Sequence, residues 1–119
     1  MAGRTPQGYL RAAEAGERFF VADEGGAVVG FASWQDDELL SLFVHPDFQS
    51  SGIGSALISA CFDDAARSNA TISIVKSVLG VEAFYGRHGF LIVGPGSTSK
   101  RGVIIPDTRM HRVAREGEM

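Results

Sequence analysis

Apolar residues recur along this chain in two rhythms: short β-rich runs, and one longer stretch at helical spacing. Phe19-Phe20-Val21-Ala22 and residues 27–34 flank the turn Asp23-Glu24-Gly25-Gly26, a layout that predicts a β-hairpin. The next run, 39–44, follows a turn at Asp36-Asp37 and is too continuously apolar for a half-exposed strand. It is expected near the middle of a sheet, ended by Pro46, which has no N–H to give a ladder. Ile53, Leu57, Ile58, Cys61, Phe62 and Ala65 then fall three or four residues apart or side by side, which predicts the longest helix over 53–67 with one buried stripe. A strand is expected over 71–75, parallel to 39–44, because a helix of this length between strands makes a right-handed crossover. A brief helix over 81–88 closed by Gly89, a strand over 90–93 and a loop over 94–102 follow, the loop read from its Gly, Ser, Thr and Pro content. Residues 103–105 and 108–113 either pair with the preceding strand or extend the sheet edge, and residues 8–15 predict a short helix stopped by Gly16.

The pattern is that of an α/β chain, and composition narrows what it can be. At 119 residues and 45% apolar content, one domain over 1–119 is expected. Lys and Arg total 11 against 14 Asp and Glu, a balance that leaves no basic footprint for nucleic acid. A single Cys61 makes no internal disulfide, which fits a reducing, cytoplasmic setting. No run approaches the ~18 apolar residues needed to cross a bilayer, and the first residues lack a signal-peptide core. The three histidines lie far apart and Cys61 sits on the apolar stripe, so no metal site is expected.

Candidate chemistry concentrates where the central strand meets the long helix, in Gln49-Ser50-Ser51-Gly52-Ile53-Gly54-Ser55. A strand-to-helix junction leaves main-chain N–H groups unpaired at the positive end of the helix dipole, and glycines let an anion come close. Leu57 stands where a dinucleotide fingerprint wants its third glycine, and no lysine follows Gly52 as a P-loop requires. Two readings remain: an anion cradle, or a helix capped by Ser50 or Ser51 with glycines allowing a tight turn.

Gln49-Ser-Ser-Gly-Ile-Gly54, preceded by Leu42-Phe-Val-His-Pro-Asp-Phe48, resembles the Q/R-x-x-G-x-G/A signature of the GNAT superfamily of N-acetyltransferases. A second stretch, Val81-Glu-Ala-Phe-Tyr-Gly-Arg-His-Gly-Phe90, is similar to the family's Phe-Tyr-x-x-x-Gly-Phe motif. The resemblance covers about residues 19–112. It implies a mostly antiparallel sheet opened between two parallel central strands, here 39–44 and 71–75. It further implies acetyl-CoA as cosubstrate, with its pyrophosphate on the main chain of Gln49, Ser50, Ser51, Gly52, Ile53, Gly54 and Ser55. Leu42, Phe43 and Val44 would pair with the pantetheine arm, and Ser77 would replace an asparagine with which many relatives contact the cofactor.

The implied reaction is direct attack of a primary amine, from a small molecule or a peptide, on the thioester in a ternary complex. The resemblance places Tyr85 near the CoA sulfur as the proton donor, whereas helical spacing alone reads Tyr85 as core. Glu38 is the one carboxylate candidate for the base, with a solvated turn charge as its other reading; His45 and His88 receive no catalytic part. Relatives begin with an additional strand and a longer helical pair. The expectations are therefore an open acceptor site, a homodimer covering the edge at 19–22, or a chain that begins late. A non-catalytic CoA-binding or dimerisation module is the alternative.

Overall fold

The computed structural model describes residues 15–113, so residues 8–14 of the helix expected over 8–15 lie outside the described residues. Strands β1 (Arg18–Glu24) and β2 (Ala27–Gln35) form the expected antiparallel hairpin around Gly25-Gly26, both at positive φ. β3 (Glu38–Val44) pairs antiparallel with β2, and α1 (Ile53–Arg67) has the expected bounds. β4 (Ile74–Val78), α2 (Glu82–Gly86), β5 (Phe90–Lys100) and β6 (Val103–Arg112) complete a six-stranded sheet of order β1-β2-β3-β4-β6-β5. Among the described residues, only β3 and β4 run parallel, and β1 and β5 are the edges. The fold is thus the mixed, mostly antiparallel sheet with a central parallel pair.

One face of α1 supplies Leu57, Ile58, Cys61 and Ala65 to a core completed by Ala32, Trp34, Leu39, Ile72, Val75, Tyr85, Phe90 and Met110. Burial pushes the Cys61 thiol up to about 12, as befits an inert core thiol. α1 also carries a buried carboxylate, Asp64, which accepts from Arg18 Nε at 2.5 Å and Nη2 at 2.9 Å and from Trp34 Nε1 at 3.0 Å. That cluster ties the helix to β1 and β2. Among the described residues, no helix is long and apolar enough to cross a membrane.

Three local expectations are corrected. The parallel strand begins at Ile74 rather than 71, because Ser73 and Ile74 donate their N–H groups to Asp37 O at 2.8 and 3.1 Å, while Ile72 inserts into the core. The loop expected over 94–102 is mostly strand. Arg101 and Gly102 at φ 52° and 78° give the two positive φ values of a tight hairpin turn, so β5 and β6 pair from Phe90↔Arg112 to Lys100↔Val103. Gly96 is what allows it: Arg109 lies across this glycine, where a Cβ would stand 2.3 Å from Nε, and reaches Ser97 O at 2.6 Å. Residues 103–105 and 108–113 accordingly belong to one strand, and it lies inside the sheet between β4 and β5.

Candidate active site

The parallel pair is short. Glu38 stands opposite Ile74 and Leu39 opposite Val75, and there the β3–β4 ladder ends. Leu42, Phe43 and Val44 pair with Ala32, Phe31 and Gly30 of β2, but have no partner on their β4 side. The break coincides with a bulge: Trp34 faces Leu39 and Ser33 faces Ser41, leaving Leu40 as the extra residue. Past it the strands diverge into a fork whose open end holds a groove of about 540 Å³. Its walls are Leu42, Phe43, Val44 and Pro46 on one side and Val81, Phe84 and Arg87 on the other, with Gln49, Ser50, Gly52, Gly54 and Ser55 at the end.

The end wall is built by local hydrogen bonds. A short 3-10 turn, Pro46–Phe48, starts with Asp47 N–H donating to His45 Nδ1 at 3.1 Å. Gln49 Nε2 donates to Val44 O at 3.2 Å and Ser51 Oγ donates to Phe48 O, folding the loop back over the end of β3. Ser50 and Gly52 then take positive φ, 73° and 85°, on either side of Ser51. Such alternation turns successive N–H groups to one side, the geometry of an anion-binding nest. Ala56 makes the first helical bond, to Gly52 O at 3.0 Å, and the N–H groups of residues 50–55 have no acceptor among the described residues. Gly52 is the N-cap with no side-chain cap, so the reading in which Ser50 or Ser51 caps the helix is not what the chain does. A Cβ on Gly52 would meet nothing within 4 Å, whereas one on Gly54 would touch Phe84 Cζ at 3.3 Å. The nest therefore opens to the groove and Phe84 leans on its base. Ser55 Oγ lies 3.1 Å from His88 Nε2, which links α1 to the turn after α2.

Of the residues singled out from sequence, Leu42, Phe43, Val44, Gln49, Ser50, Gly52, Gly54 and Ser55 meet around this groove. Ile53 packs its side chain towards the core, and Ser51 spends its hydroxyl on Phe48. Ser77 is fully buried in β4, with Oγ donating to Val78 O at 2.9 Å, and does not line the groove. Tyr85 is 8% exposed, its ring edge-on to Phe84 and Phe90, and burial pushes its hydroxyl up to about 12. Glu38 sits at the closed end of the fork, 3.7 Å from Lys76 Nζ. Sequence reasoning assigned no site role to Val81, Phe84 and Arg87, which face the groove at three-residue spacing in the stretch that also carries Tyr85. Arg87 is the one cation among the lining residues, and no carboxylate is among them.

A family model described as an acetyltransferase (GNAT) domain matches residues 15–91. None of the curated proteins matches the chain. Among solved structures, a GCN5-related N-acetyltransferase from Rhodopseudomonas palustris is 25% identical, with a TM-score of 0.78 over 92% of this chain and 69% of that one. The PaiA N-acetyltransferase of Thermoplasma acidophilum, determined in complex with coenzyme A, has a TM-score of 0.67 at 18% identity, covering 87% of this chain and 65% of that one. YncA of Salmonella typhimurium, determined with acetyl-CoA, has a TM-score of 0.64 at 22% identity, covering 92% and 74%.

Proposed function

The chain belongs to the GNAT acetyltransferase family, and from that premise we propose that it is an N-acetyltransferase that carries the acetyl group of acetyl-CoA to a primary amine within a single domain. The observation that carries the reading is the nest at residues 50–55 opening onto a groove that runs along the edge of β3 left unpaired by β4. A diphosphate would accept from those N–H groups at the positive end of α1, with Arg87 as the facing cation. The linear arm behind it would lie against the unpaired edge of Leu42, Phe43 and Val44 as an added strand does. Anchored at the open end, such a ligand brings its thioester to the closed end, beside Leu40 and Ser41.

Direct attack suits this chain, since its cysteine is buried in the core and the Ser–His contact of the groove, Ser55 Oγ with His88 Nε2, lies at the nest end, away from where the thioester would sit. Tyr85, kept protonated by burial, is the proposed hydrogen-bond donor to the departing sulfur. Glu38 offers a carboxylate at the closed end, though Lys76 draws on its charge. The test is titration calorimetry with CoA, joined to thiol release from acetyl-CoA across a panel of primary amines. Saturable binding with amine-dependent thiol is expected. Binding without it would make the chain a CoA-binding module, and no binding would defeat the whole reading.

A further inference from the structure

On the face of the sheet turned away from α1, three oxygen-bearing side chains stand in line at the closed end of the fork. Ala32, Trp34 and Leu39 point into the core against α1, so Ser33 and Ser41, which oppose each other across β2 and β3, point the other way. Ser33 has no exposed surface, and its Oγ donates to Glu17 Oε2 from the segment just before β1. Ser41 Oγ lies 2.5 Å from Ser33 Oγ. A carboxylate only accepts, so the Ser33 proton goes to Glu17, Ser33 accepts from Ser41, and the Ser41 oxygen keeps lone pairs for a donor from outside. The line therefore has a direction, running from the fork to a half-buried carboxylate.

Its place is what gives that direction chemical meaning. The Leu40 bulge sits between the last β3–β4 rung and Ser41, so Ser41 is the first residue of β3 in regular register with β2 past the closing rung. In the acetyl-transfer reading a linear substrate held at the nest would end beside this residue, which lies just past the groove lining, and an amine attacking it would lose its proton there. Glu38 and Lys76 share this end of the fork but are paired with each other, whereas the described hydrogen bond of the Glu17 carboxylate is the one from Ser33. Neighbouring Arg18 is committed to Asp64 on the opposite face.

We infer that Ser41, Ser33 and Glu17 form the acceptor subsite, a hydroxyl, hydroxyl and carboxylate line that takes an N–H of a primary amine at Ser41 and delivers its proton to Glu17. The inference rests on the acetyl-transfer reading of the groove. The nitrogen lone pair forms the C–N bond to the acyl carbon, and the C–S bond breaks with its pair leaving on sulfur. The proton shed by nitrogen passes to Ser41 Oγ as the Ser41 proton moves to Ser33 and that of Ser33 to Glu17 Oε2. The products are the amide, the thiolate and a protonated Glu17, from which the proton exits to water. An acceptor that arrives as a cation first passes one proton along the line to Glu17 and on to water, which frees its lone pair, and the attack then sheds the second.

The test compares Glu17→Gln, Ser41→Ala and Ser41→Thr with the wild type, using spermidine and phenethylamine as probe amines. Thiol release and calorimetry of phenethylamine into CoA-saturated protein are the two readouts. Ser41→Ala leaves the Ser33–Glu17 bond in place, so it interrupts the line without unlatching the segment before β1. The expected result is a kcat about 100-fold lower in Glu17→Gln and Ser41→Ala with the acetyl-CoA KM within two-fold, the size of a general-base effect. Ser41→Thr, which keeps the hydroxyl, should recover to within about 10-fold of wild type. Wild-type kcat in both deficient variants overturns the inference and leaves the acetyl-transfer reading standing, and so does a common loss of CoA affinity and thermal stability, which would mark a structural latch. A wild type that binds CoA but releases no amine-dependent thiol refutes acetyl transfer itself. In that case phenethylamine heat lost in Glu17→Gln keeps the subsite, and equal heats remove it.

Discussion

Replacing Gly52 by alanine separates backbone strain from ligand contact, because this glycine combines φ 85° with open space around the missing Cβ. An L-residue held in the left-handed region costs about 1–2 kcal/mol. For a domain of this length that corresponds to a fall in melting temperature of roughly 4–8 °C. Gly25 supplies the control: its φ is 59°, it too has nothing within 4 Å, and it lies in the β1–β2 turn away from the groove. Gly25→Ala and Gly52→Ala should therefore melt early by similar amounts. They should part in calorimetry with CoA. The new methyl on Gly52 projects where the diphosphate would approach the nest, and an affinity loss of at least 10-fold, about 1.4 kcal/mol, is expected. Gly25→Ala should keep wild-type affinity. Gly54→Ala makes a third arm, because helix propensity gains about 1 kcal/mol and offsets the contact with Phe84 at 3.3 Å. It should melt near wild type. A Gly52→Ala protein that melts early yet binds CoA as tightly as wild type would refute the claim that the nest grips the ligand.

Arg87→Gln should weaken CoA roughly 10-fold and flatten the dependence of affinity on salt, since it removes the cation lining the groove; calorimetry at two ionic strengths reads both. Tyr85→Phe should hold the CoA dissociation constant and lower kcat about 100-fold, the scale of a lost hydrogen bond to charge developing in the transition state. Its melting point should barely move, because the hydroxyl has no hydrogen-bond partner among the described residues, and normal turnover would return Tyr85 to the core alone. Hydrogen bonding from Arg18, reinforced by Trp34, holds the Asp64 carboxyl below its ordinary range. A depressed carboxyl contributes stability above its unfolded value of about 3.9 and loses it as pH falls through the folded value. Asp64→Asn should thus be clearly less stable than wild type at neutral pH, with the gap closing in acid; a gap in urea midpoints that does not change with pH would contradict the assignment.

Most of the fold was legible because its signals are local. The stripe from Ile53 to Ala65 gave α1 with its bounds, and the paired β-runs around Gly25-Gly26 gave the first hairpin. The second hairpin was hidden because it is held by partners distant in sequence: Arg109 across Gly96, and Asp107 accepting from Thr98 at 3.2 Å, make a strand from residues whose own preference is for turns. The groove was half legible. Its nest side follows from glycines in a short segment, whereas Val81, Phe84 and Arg87 face it because of how α2 docks after β4, which no spacing rule conveys. Glu17 was invisible for a similar reason. Its partner Ser33 stands 16 positions away, inside what reads as an ordinary apolar strand.

The two-rung seam between β3 and β4 also makes the sheet two leaves rather than one plate. β1, β2 and β3 pack against α1 and β4 and β5 against α2, while Val75, Phe90 and Met110 hold the second leaf to the α1 core, so amide exchange should be faster along the gap than at the rungs that face this core. A substrate seated in the gap touches both leaves and would act as a rivet, slowing exchange on each side of the seam together.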